Sequence, residues 1–476
     1  FRVVLGIGKC WKLERFPVSN KKDSVGISNQ CTQLELKPWI KPSISIWRKS
    51  GAYRNSLCRK MEVTKETDLS KSVVGKGHRN LRNDLTTKLS VAELLVENLD
   101  NDSPFQDENK SRQIPSFEAH EVQIGRFLGR GEFGCVYDVT DFRCEDTREE
   151  ENGYGDNTET LESGDSVTEE DGADLKMFMV KYPTRLERPR YAAKHARQDL
   201  SEDRIGEAAF DLACEANYLS RINHPNIVRL RATVGQPGSS SFMLIIDRLE
   251  QTLGKKIDGW KEDRKKMKGL LRTKDKLGLK SLLKIQLVAA YDVARALRHL
   301  HSKKLVFRDL KPANLGIDGR GEMRLFDFGL CKELQPKDLV EKPDRYLASG
   351  LTGTQRYMAP EVVKCLPYGF STDVYSFGIL FWQIFALKTP FSSLDAVSHK
   401  NQVALAGKRP PSIRGILPSP ALHQLMEKCW ADNPAQRPTF EIICQTLQDE
   451  LNAIDGSSSN GINRSTLLSR ISIYSR

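Results

Sequence analysis

From residue 121, apolar and polar residues alternate through "EVQIGRFLGRGEFGCVYDV", the period of two that a pair of strands requires. Two more strand-like runs, "MFMVKYP" and "RYAAKHA", come after an acidic block, and "EAAFDLACEANYLSRI" then reads as a helix. Residues 223 to 253 predict two further strands, "NIVRLRATV" and "SFMLIIDRL". From 281 the period changes. In "LLKIQLVAAYDVARALRHLHSK", "TDVYSFGILFWQIFAL" and "ALHQLMEKCW" apolar residues recur three and four apart, so this part is mainly helical.

Outside this region the pattern fades. Residues 1 to about 118 carry no sustained period apart from "LSVAELLVENL" at 89–99, read as a short amphipathic helix, and most of the segment reads as disordered. The Ser-rich tail from about 453 reads as flexible. Three parts follow: a basic N-terminal extension (1–118), a folded domain (119–452) and a tail (453–476). Two stretches interrupt the domain, an acidic insertion at about 141–176 and a basic one at about 255–280, and both read as exposed loops.

Composition narrows the classes. The chain has 476 residues, 28% of them charged, and no apolar run long enough to span a bilayer. Its ten cysteines lack paired metal-like spacing and read as reduced thiols, which favours an intracellular compartment, cytoplasmic with nuclear as the alternative. The net charge of +11 would suit nucleic acid, but it is spread over tails and loops without a zinc-finger or RNA-recognition motif, which argues against that partner. The first sixty residues are rich in Lys and Arg and poor in acid, as an organelle transit peptide is. Because the sequence starts at Phe1 and its first methionine is Met61, a fragment end or translated leader is the alternative, and the favoured one.

Several residue patterns carry chemistry. Gly129, Gly131 and Gly134 in "GRGEFG" let a strand turn bring its backbone close to phosphates, and they lie between strands rather than opening a helix. Lys194 in "YAAK" could hold nucleotide phosphates if Glu215, in the apolar helix, aims it. Lys181 is a weaker rival, lacking the small residues before it. Asp309 in "FRDLKPANL" can orient or deprotonate a hydroxyl, and Lys311 can neutralise charge on a transferred phosphoryl group. Asn314 and Asp327 offer the hard oxygen donors that Mg²⁺ takes.

With "DFGL" and "YMAPE" following in order, residues 121 to about 452 resemble a eukaryotic-type protein kinase domain. The resemblance implies an α+β, bilobal fold: a small antiparallel-sheet N-lobe (119–248), a larger helical C-lobe (249–452), and ATP with Mg²⁺ in the cleft between them. It implies ATP contacts from the three glycines, Val136 and Lys194, with Ile246 guarding the back of the pocket and Asp247 to Leu249 forming the hinge. Glu361 and Arg437 match the family's ion pair, and Asp373 matches the aspartate that braces the catalytic loop. "EKCW" with "NPAQRPTF" resembles the tyrosine-kinase-like group, whereas Lys311 and "GTQRYMAPE" with Thr354 resemble serine/threonine enzymes. The implied reaction is phosphoryl transfer to Ser or Thr of protein substrates.

One position departs from the family. Phe307 stands where a His is usual, giving FRD for HRD. That His resembles a packing residue against the DFG phenylalanine, so Phe307 against Phe328 is expected to fill the role, an aromatic pair contributing about 0.5–1.5 kcal/mol beyond burial. The alternative is a pseudokinase scaffold that binds nucleotide or partners without turnover. Arg308 resembles a receiver for activation-loop phosphate, with Ser349 and Thr352 as acceptors for an upstream kinase.

Overall fold

The computed structural model describes residues 113–143, 172–269, 276–341, 344–348, 350–413 and 415–455. The helix expected at 89–99, most of the acidic insertion, both terminal segments and Ser349 lie outside the described residues.

The N-terminal strands are β1 (Ser116–Phe117), β2 (Val122–Arg130) and β3 (Gly134–Phe142). Helix α1 (Gly172–Lys181) and a small hairpin, β4 (Thr184–Arg185) with β5 (Arg188–Pro189), precede β6 (Tyr191–Ala196). Helix α2 (Glu202–Arg221), β7 (Leu230–Val234) and β8 (Met243–Asp247) complete the small lobe. Its six-stranded sheet runs β1-β7-β8-β6-β3-β2, antiparallel except where β1 lies parallel to β7.

Helix α1 corrects the expectation that "MFMVKYP" is a strand. Met179 is fully buried with Phe117, Phe142 and Tyr191 in a second core on the sheet's outer face, and Lys176 donates to Glu121 at 3.3 Å. A short apolar run fits either period, and here packing onto the sheet decides. On α2, Ala208, Leu212, Glu215 and Leu219 follow helical spacing and are all buried, so one carboxylate lies within an apolar stripe.

The larger lobe begins with β9 (Leu249–Thr252), α3 (Leu253–Gly269) and α4 (Lys276–Ser302). Most of the basic stretch expected as an exposed loop is therefore helix. Leu253, Ile257 and Trp260 are buried at i, i+4 and i+7, and the lysines occupy the other face. Next come β10 (Leu305–Val306), β11 (Leu315–Asp318), β12 (Met323–Leu325) and β13 (Lys332–Glu333). β10 pairs with β13, and β11 lies between β12 and β9. A hairpin of β14 (Leu339–Glu341) and β15 (Arg345–Tyr346) precedes α5 (Pro360–Val363).

Helix α6 (Ser371–Ala386) is buried on every side from Thr372 onward, as a helix that is apolar all round must be. α7 (Ala396–His399), α8 (Pro420–Cys429) and α9 (Phe440–Asp455) pack around it and α4. Ser419 caps α8 by accepting the Leu422 N–H at 3.2 Å. One apolar core runs from Leu230 and Ile246 through Phe307 and Phe328 to Phe381 and Leu447, joining the sheet-rich lobe to the helical one. The expected α+β, bilobal arrangement is present.

Candidate active site

The glycine-rich turn joins β2 to β3, closed by the Gly131 N–H donating to the Gly134 carbonyl at 2.7 Å. A Cβ on Gly134 would lie 3.2 Å from Lys194 Cε, so a side chain there would crowd the lysine. Val136 pairs with Lys194 across β3 and β6, and Ile246 on β8 pairs with Ala192 on β6. Three adjacent strands thus carry Gly134, Val136, Lys194 and Ile246. At the expected hinge, Asp247 ends β8 and accepts from Arg231 Nε at 2.7 Å, and Leu249 opens β9.

Lys194 is 14% exposed, and its ammonium donates to Glu215 Oε2 at 2.5 Å and Asp327 Oδ1 at 2.9 Å. Burial works against its charge, but the Asp327 and Glu215 carboxylates outweigh burial and raise its pKa. Burial pushes the Glu215 carboxyl above the usual range, Lys194 offsetting part of the effect. Burial also opposes ionisation of Asp327, yet Lys194 outweighs it and holds that carboxyl below its ordinary value. The rival Lys181 lies on α1, 5.5 Å from the Tyr182 ring centroid.

The second group of residues comes from the loop after β10. Asp309 Oδ1 accepts the Thr354 backbone N–H at 2.8 Å and its hydroxyl at 2.7 Å. Asp309 Oδ2 accepts from Lys311 Nζ at 2.7 Å and Asn314 Nδ2 at 3.0 Å. Lys311 also donates to Thr354 Oγ1 at 2.9 Å. Asp373 fixes the loop from below, accepting the Phe307 and Arg308 N–H groups at 2.8 and 2.9 Å, with His301 Nε2 2.9 Å away. Arg437 meets Glu361 with two nitrogens, at 2.6 and 3.0 Å.

Phe307 is completely buried, edge-on to Phe328 with centroids 5.4 Å apart. Arg308 and Asp327 both have φ +71, a left-handed conformation that costs a non-glycine residue about 1–3 kcal/mol and concentrates at functional sites. The Arg308 guanidinium donates to the Leu330 carbonyl at 2.6 Å and the Tyr368 hydroxyl at 3.3 Å.

The donor set fits a nucleotide with a hard divalent cation. Asn314 uses its side-chain nitrogen on Asp309, which leaves its side-chain oxygen as a hard donor, and the Asp327 carboxylate is a second. The Phe326 N–H donates to the Asn314 backbone carbonyl at 3.0 Å, tying the two donor segments together. No cluster of three or more His, Cys, Asp or Glu suited to a metal occurs among the described residues. Two oxygen donors suit a cation that completes its shell with phosphate and water.

Comparison with known protein families matches residues 180–448 to the protein kinase domain. The chain belongs to the protein kinase family. The match begins after the acidic insertion, while the glycine-rich hairpin precedes it in sequence and joins the kinase sheet through β3 and β6. Curated relatives agree with this assignment. The Arabidopsis thaliana serine/threonine/tyrosine-protein kinase HT1 is 32% identical over 49% of this chain and 53% of its own length. The serine/threonine-protein kinase CTR1 of the same plant is 30% identical over 53% of this chain and 27% of itself. A Dictyostelium discoideum dual specificity kinase, shkD, is 32% identical over 50% of this chain and 29% of itself. The chain therefore spans about half or less of the length of these relatives.

Sequence reasoning missed the bond between Asp138 and Arg248. The available signal was parity: Asp138 stands two residues after Val136 on β3, so both point to one face of the sheet.

Proposed function

We propose that the protein transfers the γ-phosphoryl group of ATP to Ser or Thr hydroxyls of protein substrates, with Mg²⁺ as the cation. The observation that carries the reading is Asp309, whose carboxylate is held in one orientation by Thr354, Lys311 and Asn314. Bound Mg-ATP supplies the electrophilic phosphorus and the charge that polarises it. Lys194, aimed by Glu215, meets the α- and β-phosphates, and the glycine turn covers them. Asn314 and Asp327 would hold the cation through oxygen. Asp309 orients the acceptor hydroxyl and takes its proton as the new O–P bond forms, while Lys311 balances charge on the group in flight. The Thr354 contact supports Ser or Thr as acceptor.

Regulation belongs to the same reading. Phosphorylation at Ser349 or Thr352 by an upstream kinase would order the segment beside Arg308, through charge-assisted bonds to its guanidinium. Thr352 is nearly buried, so its modification requires the segment to open first. Peptide mapping that finds full activity with both residues unmodified would remove this step. A cytoplasmic setting accords with the thiols of Cys135, Cys331 and Cys429, none of them in a disulfide. Among the described residues no helix is long and apolar enough to cross a membrane.

The decisive experiment is transfer of labelled phosphate from Mg-ATP to a Ser/Thr peptide by the full chain, beside Asp309→Asn and Asp327→Asn. Transfer that falls about 100- to 10,000-fold in the Asp309 variant establishes the catalytic role. Nucleotide binding without transfer, from a chain already phosphorylated by a helper kinase, would favour a scaffold.

A further inference from the structure

In the large lobe, α3, the C-terminal end of α6 and the segments around 388–394 and 408–411 line a concavity of about 470 Å³. Its volume is within the range of ligand sites. The apolar surface comes from Trp382, Phe391 and Pro411, and the rim carries Lys261, Lys388 and Lys408 from three separate segments. The walls are fixed by specific bonds. Trp382 Nε1 donates to the Pro411 carbonyl at 2.7 Å. Arg264 donates to the Phe385 and Ala386 carbonyls at 2.9 and 2.8 Å, which holds α3 over the end of α6 and sets Lys261, one turn earlier, at the rim.

The charges are unbalanced. All three lysines are exposed, and none forms an ion pair with a described residue; Lys408 donates only to the neutral Gln402 at 2.8 Å. Arg409, also in the lining, is already engaged by Asp432, and Asp395 just beyond Leu394 is spent capping α7 through the Ser398 N–H. No carboxylate lines the concavity among the described residues. An apolar cleft ringed by unpaired cations complements an apolar side chain flanked by carboxylates.

We propose that this concavity docks a linear acidic segment of the protein substrate, with a bulky apolar side chain seated on Trp382 and Phe391 and flanking Asp or Glu residues on Lys261, Lys388 and Lys408. The substrate assignment rests on the kinase reading above; the binding chemistry does not. The location supports a substrate rather than an unrelated ligand. Gln355, directly after Thr354, donates from Nε2 to the carbonyl of Ala396, the first residue of α7 and two residues past the wall residue Leu394, at 2.8 Å, so the acceptor side of the active site is bonded to the chain that leaves one wall. Docking there lowers KM for tethered substrates by raising the effective concentration of the acceptor at Asp309.

The test uses a fluorescein-labelled peptide with one Trp between runs of Glu, titrated into the full chain by fluorescence anisotropy. The combined Lys261→Glu, Lys388→Glu, Lys408→Glu variant should bind at least about ten-fold more weakly, as should wild type with the Trp of the peptide changed to Ala. Matching thermal melts establish that the variant folds. Appending the same acidic segment to a Ser acceptor peptide should lower its KM in wild type with kcat unchanged, and give no benefit in the variant. The untailed acceptor should behave identically in both. Equal peptide binding by wild type and variant overturns the proposal, and so does binding that ignores the Trp and is displaced equally by a polynucleotide. If anisotropy follows the expected pattern but neither acceptor is phosphorylated, the kinase reading fails and the acidic-segment site stands.

Discussion

Arg248, between β8 and β9, donates from Nε to Asp138 Oδ1 of β3 at 2.7 Å, with only 8% and 6% of the two side chains exposed. Asp138 pairs with Ala192 and lies on the same face of β3 as Val136, so this bond ties the expected hinge to the strand that carries Gly134 and Val136. Glu250 accepts from the same guanidinium at 2.7 Å. Arg126 approaches the other Asp138 oxygen at 3.4 Å but is 71% exposed and contributes little.

Arg248→Met should therefore destabilise the fold by about 3–5 kcal/mol, because it leaves the Asp138 carboxylate buried without its partner. It should also raise the KM for ATP more than it lowers kcat, since the hinge loses its fixed height over the cleft. Adding Asp138→Leu should recover part of the stability and little of the KM. Denaturant unfolding and steady-state kinetics on the three variants separate these effects.

The same bond marks the limit of what the sequence disclosed. Residues with chemical roles were legible because they sit in contiguous stretches such as "FRDLKPANL", whose side-chain types state their chemistry. The pairing of Lys194 with Glu215 was legible because a lone carboxylate in an apolar stripe needs a cation. Asp138 and Arg248 are 110 residues apart, and nothing local to either names the other. Helix α1 was misread because four apolar residues in a row have no period, and only Met179 docking onto the sheet selects the helix. Helix α3 was misread for the opposite reason: its many charges obscured the spacing of Leu253, Ile257 and Trp260, which was present all along.

Phe307 and Phe328 form an apolar pair where the family usually pairs His with Phe. Phe307→Ala should cost about 3–5 kcal/mol, the usual price of truncating a buried Phe, and should depress phosphate transfer as Phe328 loses its edge contact. Phe307→Leu keeps most of the volume and should cost less than half as much. Unfolding midpoints and transfer assays on both variants check this. A Phe307→Ala protein with unchanged stability would mean the ring does not support the loop.

His224 makes stability depend on pH. Burial, then the neighbouring His299, then Arg295, Arg298 and Arg324 depress its pKa from 6.5 to about 3. Its Nδ1 accepts the Asn226 N–H at 3.1 Å, and its ring stacks on His299 at 5.0 Å, so protonation at Nδ1 would break that bond and face cations. The unfolded chain takes up a proton near pH 6.5 that the folded chain refuses until about pH 3. Stability from this residue is therefore complete above pH 6.5 and is lost as the pH falls toward 3. His224→Asn keeps an acceptor and removes the titration, so its unfolding midpoint should fall less steeply with acid; parallel slopes in the two proteins would exclude His224 as a source.

Gly353 is where the activation segment meets the catalytic loop. Its φ of +99 is unfavourable for other residues, and a Cβ there would lie 2.3 Å from the Arg308 carbonyl oxygen. Thr354 follows directly and supplies two of the bonds that hold Asp309. Gly353→Ala must push the segment away from Arg308 and carry Thr354 with it. A displacement of about 1 Å is enough to cost about 100-fold in rate when a reacting group loses its alignment. The loss should fall on kcat, because Lys194, Glu215 and Asp327 are held together by bonds that do not involve this segment. ATP affinity measured by calorimetry should stay within about two-fold of wild type. A variant that lost nucleotide affinity in step with kcat would show instead that the segment supports the whole cleft, and Thr354 would no longer be assigned to Asp309 alone.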